Sequence, residues 1–250
     1  MTSTNPVMLI TGASSGIGAA TALLAAQRGY DVAFTYLSQQ QQAEAIAEKI
    51  SALKRKVLFT KVDLSKEADI LAWFAQVDAH FGNIDVLVNN AAILRQKLFN
   101  NTNADELQHL FAVNVIGSFL CAREAIKRMS TTHGGNGGAI VNVSSVASRF
   151  GSPFEYIDYA STKGAIDAFT LGLAKEIASE GIRVNAVRPG IINTEMHAKG
   201  GEAGRIARIA PSVPMQRAGE PEEIANAILW LVSAEASFVT GTLLDISGGR

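Results

Sequence analysis

The chain is short of most features that mark a specialised surface or a stapled scaffold. Only 18% of its 250 residues are charged and the net charge is -1. That balance gives no sign of nucleic acid or an anionic membrane as a partner. A single cysteine, Cys121, excludes an internal disulfide. It falls in an apolar helical run and reads as a small buried hydrophobe rather than a reactive thiol. Met1 to Pro6 is short and polar, with no leader pattern. No apolar run approaches the roughly 18 residues of a membrane span, so a cytoplasmic protein is expected. Linkers, repeats and a second domain are also missing. What is plentiful is apolar: 48% hydrophobic residues are ample for a sizeable core.

Short apolar runs and helical patterns alternate from end to end. Strands are predicted at Val7–Thr11, Asp31–Tyr36, Val57–Val62, Ile84–Asn89, Ala139–Ser144, Ile182–Val187 and Thr242–Ile246. Helices are predicted after Gly16, over Gln39–Leu53, Ala68–Phe81, Asp105–Met129, Tyr159–Ser179 and Pro221–Val232. Crossovers of this length predict an α/β fold: one doubly wound domain over residues 1–250, with seven parallel strands and helices on both faces. The segment at about 191–217, glycine-bearing and irregular, suits a mobile lid.

The first strand runs straight into Thr11-Gly12-Ala13-Ser14-Ser15-Gly16-Ile17-Gly18. Gly12 permits a tight turn, Gly16 lets backbone approach a diphosphate, and Gly18 lets helix and strand pack closely. The second strand ends Phe34-Thr35-Tyr36-Leu37-Ser38 with no carboxylate for a ribose 2′-hydroxyl, which leans toward NADP(H) with NAD(H) possible. No arginine or lysine stands in that turn either. Asp63 is read either as an acceptor for an adenine amino group or as an N-cap for the segment near Ser65. Asn114 is a poor mid-helix residue in an apolar stretch; its amide either satisfies a backbone group or holds a water. Ser144 and Ser145 close the fifth strand, at the end of the sheet where ligands gather.

Tyr159 and Lys163 are four apart on a predicted helix and so share a face. A phenol titrates near 10 when free, and a fixed cation beside it lowers that value. A tyrosine tuned this way exchanges a proton with an alcohol or a carbonyl oxygen. The pair alone is weak, since an exposed tyrosine beside a solvated lysine has the same spacing. Its force comes from the rest of the chain.

Taken together, Thr11-Gly-x-x-x-Gly-x-Gly18, Asp63, Asn89-Asn-Ala91, Asn114, Ser145, Tyr159-x-x-x-Lys163, Pro189-Gly190 and Thr194 resemble the short-chain dehydrogenase/reductase family over nearly the whole chain. The resemblance implies a Rossmann-type domain that interconverts a carbonyl and an alcohol on a small molecule. Tyr159 would be the general acid/base, and Lys163 would lower its pKa and hold the nicotinamide ribose. Ser145 would polarise the substrate carbonyl, and Asn114 would anchor a water in a relay to Lys163. The cofactor would lie against Gly12, Ser14, Ser15, Gly16, Ile17 and Gly18, with Tyr36, Ser38, Asp63, Leu64, Asn89, Ala91, Pro189, Gly190, Ile192 and Thr194 completing its contacts. A homotetramer packed through the helices of Asn114 and Tyr159 is implied too, and no metal is.

Three departures from the family pattern stand out. Ala92 replaces a usual glycine, the spacing from Ser145 to Tyr159 is 14 rather than 13, and Ser15 stands where NADP-preferring members often carry a base. Ser152–Tyr156, Met196 and His197 are expected to face the substrate. There Glu155 and His197 suit hydroxyls, while Phe154, Tyr156 and Met196 suit an apolar ketone. Arg149, Arg205 and Arg208 are candidates for a basic patch, should the substrate ride on an acidic carrier. A cofactor-binding regulator without catalysis, or an epimerase or dehydratase, is the other reading. The complete set of polar site residues argues against the first and the chain length against the second.

Overall fold

The computed structural model describes residues 5–250. Its seven strands are all parallel: β1 (Val7–Ile10), β2 (Asp31–Tyr36), β3 (Val57–Lys61), β4 (Val86–Asn89), β5 (Gly138–Val143), β6 (Ile182–Pro189) and β7 (Leu243–Ile246). They lie in the order β3-β2-β1-β4-β5-β6-β7. The winding reverses between β1 and β4, where Met8 pairs with Val86 and Ile10 with Val88. In a parallel sheet the crevice beyond the strand ends at such a reversal is where ligands bind.

The two faces carry separate cores, because side chains alternate along a strand. Met8 and Ile10 face one way with Phe34 and Val88; Val7 and Leu9 face the other with Leu87 and Ile140. The first face is covered by α1 (Gly16–Gln27), α2 (Gln40–Ala52) and, later in the chain, the helix that starts at Pro221. The second is covered by α3 (Glu67–Phe81) and by two long helical stretches further on. Burial on both faces explains why the strands read as apolar runs rather than alternating ones.

The long helix expected over 105–129 is continuous but not uniform. It comprises α4 (Ala104–Phe111), a π-helical segment (Ala112–Ile116) and α5 (Gly117–Met129), and Asn114 lies in the π segment. π segments are rare and frequently occur at functional sites. By length and composition Ala104–Met129 is apolar enough to cross a membrane, which corrects the expectation that no such run exists. Half of its most apolar stretch is buried in this fold, where Cys121, Ala125 and Met129 join the second core. Cys121 is fully buried and its thiol is pushed up to about 12 by burial, which leaves it inert.

After β5 comes a short helix the sequence did not reveal, α6 (Ala147–Phe150), and then α7 (Ile157–Glu176). The extra residue between Ser145 and Tyr159 falls in a tight region. Gly151, Ser152 and Phe154 all adopt left-handed φ (68°, 43° and 67°), which is uncommon for residues with a side chain. The stretch expected to be irregular after Met196 is instead made of helical turns. These are α8 (Met196–Lys199), α9 (Arg205–Ile209) and a 3-10 turn at Ala210–Ser212, around a small core of Ile191, Ile209 and Val213. The last helix, α10 (Pro221–Val232), begins with proline in its first turn and a reciprocal cap between Glu220 and Glu223.

Candidate active site

Two cavities open at the carboxyl end of the sheet. The outer one, ≈ 370 Å³, is walled by Gly12, Ser14, Ser15, Gly16 and Ile17, by Tyr36 and Ser38 after β2, by Asp63 and Leu64 after β3, and by Ala91 and Thr194. The inner one, ≈ 120 Å³, is walled by Ser145, Tyr159, Lys163, Pro189, Gly190 and Ile192. Ile17, Asn90, Ala92, Leu94, Thr194 and Met196 line both and form the passage between them.

The outer cavity fits a dinucleotide by its bareness. Gly12 has φ 69°, and a Cβ there would lie 2.9 Å from the Cβ of Ala91. Gly18 is buried behind the loop rather than lining it, and a Cβ on it would run into the carbonyl of Gly12 and the amide of Asn90. This close packing leaves the first turn of α1 facing the cavity. Its N-cap Ser15 makes no side-chain cap and the turn holds no acidic residue, so free N–H groups and the positive helix end are available to a diphosphate. Asp63 is not the N-cap of α3, a place that falls to Lys66. Its carboxylate accepts from the Ser65 N–H and hydroxyl at 3.0 and 2.6 Å and still lines the cavity. The Ser65 hydroxyl in particular holds it below the usual carboxylate range.

Asn89 departs from expectation. It is buried, and its amide donates to Asn142 Oδ1 at 3.0 Å and to the Ser118 carbonyl at 3.2 Å. Its side chain does not reach either cavity, because the alternation along β4 turns it into the sheet layer. Its neighbour Asn90 lines both, with Nδ2 tied to the carbonyls of Thr11 and Gly12 at 2.9 and 2.8 Å. Ala92 keeps a negative φ, so the methyl in place of glycine costs no backbone strain and narrows the passage instead.

The reacting cluster sits in the inner cavity. Tyr159 is fully packed in, and burial pushes its phenol up to about 12 despite a hydrogen bond with Ser145 that pulls it down. Lys163 is not among the groups that pull it down. The lysine is itself buried, is brought down to about 8 by desolvation, and donates to the Val143 carbonyl at 2.7 Å. Its Nζ stands 5.5 Å from the centre of the Tyr159 ring. Burial is the largest influence on the phenol, and the depression expected from Lys163 is not seen in it. Ser144 turns inward to the Lys163 carbonyl at 3.2 Å, while the half-buried Ser145 bonds the Ala147 N–H at 3.1 Å and faces Tyr159. Asn114 clamps the backbone of Ile93, accepting from its N–H at 2.8 Å and donating to its carbonyl at 2.9 Å, and donates to Thr162 at 3.2 Å. The satisfied backbone group thus lies on the loop after β4 rather than on its own helix.

Residues not anticipated complete the walls. Gln39 receives hydrogen bonds from both Ser14 and Ser15 at 3.2 Å and reaches Glu195 at 3.4 Å. Glu195 pairs with Lys199 at 2.9 Å, and Lys199 lines the outer cavity. Arg205 lines the inner cavity and lies over the Tyr156 ring at 4.6 Å. It pairs with Glu155 and Glu202 at 2.7 and 3.0 Å, and Arg208 closes the ring with both carboxylates at 2.6 Å. Glu155 therefore faces the lid rather than a substrate, with its carboxyl held low by the two arginines against the effect of burial. Phe154 is 80% exposed and lines neither cavity. The pairs that tie the lid to the turn before α7, Glu155 with Arg205 and Arg208, join residues about 50 positions apart, which local pattern does not reveal.

A family model described as enoyl-(acyl carrier protein) reductase matches residues 12–250. An Escherichia coli protein described as the uncharacterized oxidoreductase YgfF is 51% identical, covering 98% of this chain and 99% of its own length. Among solved structures, a 3-ketoacyl-(acyl-carrier-protein) reductase from Brucella melitensis complexed with NADH superposes with a TM-score of 0.89 at 33% identity, covering 98% of both chains. A blue fluorescent protein from a metagenomic library in complex with NADPH superposes with a TM-score of 0.88 at 30% identity, covering 98% of this chain and 97% of its own.

Proposed function

Because this chain belongs to the short-chain dehydrogenase/reductase family and is an oxidoreductase, we propose that it interconverts a carbonyl and an alcohol, with Tyr159 as general acid/base. One observation carries the reading: Tyr159, Ser145 and Lys163 meet in the inner cavity, at the end of a passage from a cavity shaped for a dinucleotide. A bound nicotinamide supplies the hydride for reduction or accepts it in oxidation. Gly12, Ser14, Gly16 and Ile17 hold the diphosphate end, Asp63 and Leu64 the adenine end, and Ile192 and Thr194 the nicotinamide end. A buried phenol that stays protonated through neutral pH donates its proton to a carbonyl oxygen. Ser145 holds that oxygen through its hydroxyl, and Lys163 keeps a positive charge beside the phenol. Asn114 holds a water that returns a proton toward Lys163, from a π segment where the helical ladder is interrupted.

NADP(H) is the preferred cofactor in this reading. No acid follows β2, and Lys199 from the lid lines the same cavity, paired with Glu195. The lid is the segment at 191–217. The substrate is a free small molecule rather than one carried on an acidic protein, because Arg205 and Arg208 are neutralised by Glu155 and Glu202, and Arg149 by Asp245. Ile116, Phe119 and Leu171 stay exposed on the π segment, α5 and α7, in support of a homotetramer that light scattering would test.

The decisive experiment is Tyr159→Phe. Carbonyl reduction is expected to fall by about 10²–10⁴-fold, with NADPH affinity retained by fluorescence titration. Undiminished turnover would remove Tyr159 from the reaction.

A further inference from the structure

Two polar atoms in the wall of the inner cavity have no hydrogen-bond partner. Tyr156 is only 3% exposed, yet its phenolic oxygen is buried and unpaired, and so is Nδ1 of His197. Tyr156 comes from the turn before α7 and His197 from α8 in the lid. Both line the cavity of Tyr159 and Ser145, and neither lines the outer cavity or the passage. The Tyr156 ring stands edge-on to that of Tyr159 with centroids 6.4 Å apart. Buried donors and acceptors are nearly always satisfied, so two orphans at one cavity point to a ligand atom that satisfies them.

The surroundings also restrict the ligand's charge. Arg205 lies against Tyr156, but Glu155 and Glu202 occupy its guanidinium. Together with Arg208 they form a set of two cations and two anions. Lys163 is bonded to the Val143 carbonyl. The exposed Arg250 also lines the cavity, 5.9 Å from the Phe150 ring. His197 is held below its ordinary range chiefly by burial and then by Arg205, against Glu202 and a hydrogen bond of the ring with the Ile192 backbone. Around Tyr156 and His197 the cavity is therefore polar with Arg205 already paired, while the charge of Lys163 lies beside Tyr159, and ≈ 120 Å³ leaves room for a compact ligand only.

We propose that Tyr156 and His197 read a second oxygen on the substrate, which is a small, uncharged ketone bearing a hydroxyl or carbonyl oxygen on a carbon near the reacting one. The inference rests on the proposed carbonyl reduction and names its substrate class. The second oxygen is bound and not transformed. The reacting carbonyl carbon alone is reduced by two electrons at the nicotinamide's expense, and its oxygen takes the proton of Tyr159. Tyr156 and His197 are specificity residues of that reaction.

The test uses pairs of equal size: 1-hydroxypropan-2-one against butan-2-one, and 4-hydroxybutan-2-one against pentan-2-one, with pyruvate as an anionic control. The full-length enzyme with NADPH is expected to favour at least one hydroxyketone over its hydrocarbon partner by at least tenfold in kcat/KM, and over pyruvate as well. That ratio is expected to fall at least fivefold in Tyr156→Phe, which keeps the ring under Arg205, and in His197→Phe. Reduction of the plain ketones as fast as the hydroxyketones, or a preference for pyruvate, overturns the inference and leaves the carbonyl reductase reading intact.

A binding measurement decides the matter without turnover. With NADP⁺ present, propane-1,2-diol is expected to raise the melting temperature of the wild type more than butan-2-ol does. Equal shifts overturn the inference even if neither variant folds. Turnover of none of the ketones alongside a diol-specific shift would instead reject the proposed reaction and keep the polar subsite.

Discussion

The two cavities are built in opposite ways. The outer one is made of backbone and small side chains at strand ends, Gly12, Ser14, Gly16 and Ala91, each within a few residues of the strand that carries it. The deep end of the inner one is made of large side chains, Tyr156, His197 and Arg205, from a strained turn and a lid held together by a ring of four charges. A diphosphate is recognised by N–H groups that any sequence possesses, so the outer cavity needs only the absence of side chains. A substrate is recognised by particular side chains at particular places, and those come from segments that meet only on folding. Cofactor recognition and substrate recognition should therefore respond to different substitutions.

The largest effect that would sharpen this contrast is at the glycine turn. Gly12→Val places a β-branched residue at φ 69° with its Cβ against Ala91. Backbone strain and overpacking each cost about 1–3 kcal/mol, so NADPH affinity should fall roughly 100-fold, about 2.8 kcal/mol. Calorimetric binding would show it, and unchanged affinity would deny that the loop carries the cofactor.

Next in size is the pH response of the inner cavity. The Tyr159 phenol lies above its ordinary value, so the form that accepts a proton grows with pH. Alcohol oxidation should then rise by up to about tenfold per pH unit above neutrality, while reduction stays level until the phenol ionises. A plateau in oxidation below pH 9 would show that the loaded site pulls the phenol down, as the family resemblance first suggested for Lys163.

A smaller effect tests the separation directly. Glu155→Gln opens the charge ring and loosens the lid over the deep end. The KM for the ketone is expected to rise about five- to tenfold, since partly buried pairs of this kind are worth roughly 1–2 kcal/mol at most, with the Kd for NADPH nearly constant. Equal weakening of both would mean that the cavities are not independent.

The smallest concerns cofactor choice. Lys199→Ala removes the lid's cation from the outer cavity and should weaken NADPH about three- to fivefold without affecting NADH, as expected of an exposed charge. The paired titrations report it. Equal loss for both cofactors would move the preference back to the turn after β2.

Periodicity, glycine placement and capping are properties of neighbouring residues, and they specified the seven strands, their parallel direction and the glycine turn, while the strand order was read only from the fold. They also put Tyr159 and Lys163 on one helical face, because a helix carries its spacing with it wherever it packs. Local pattern failed where distant segments decide the outcome. Asn89 and Asn90 exchange places because the alternation along β4, fixed by sheet burial, turns one inward and the other toward the cavities. The segment after Met196 is helical rather than irregular, packed around Ile191, Ile209 and Val213 and tied by Arg205 and Arg208 to Glu155 about 50 residues earlier. The Tyr159 phenol is raised rather than lowered because its protonation follows burial, which tertiary packing creates and no sequence spacing encodes.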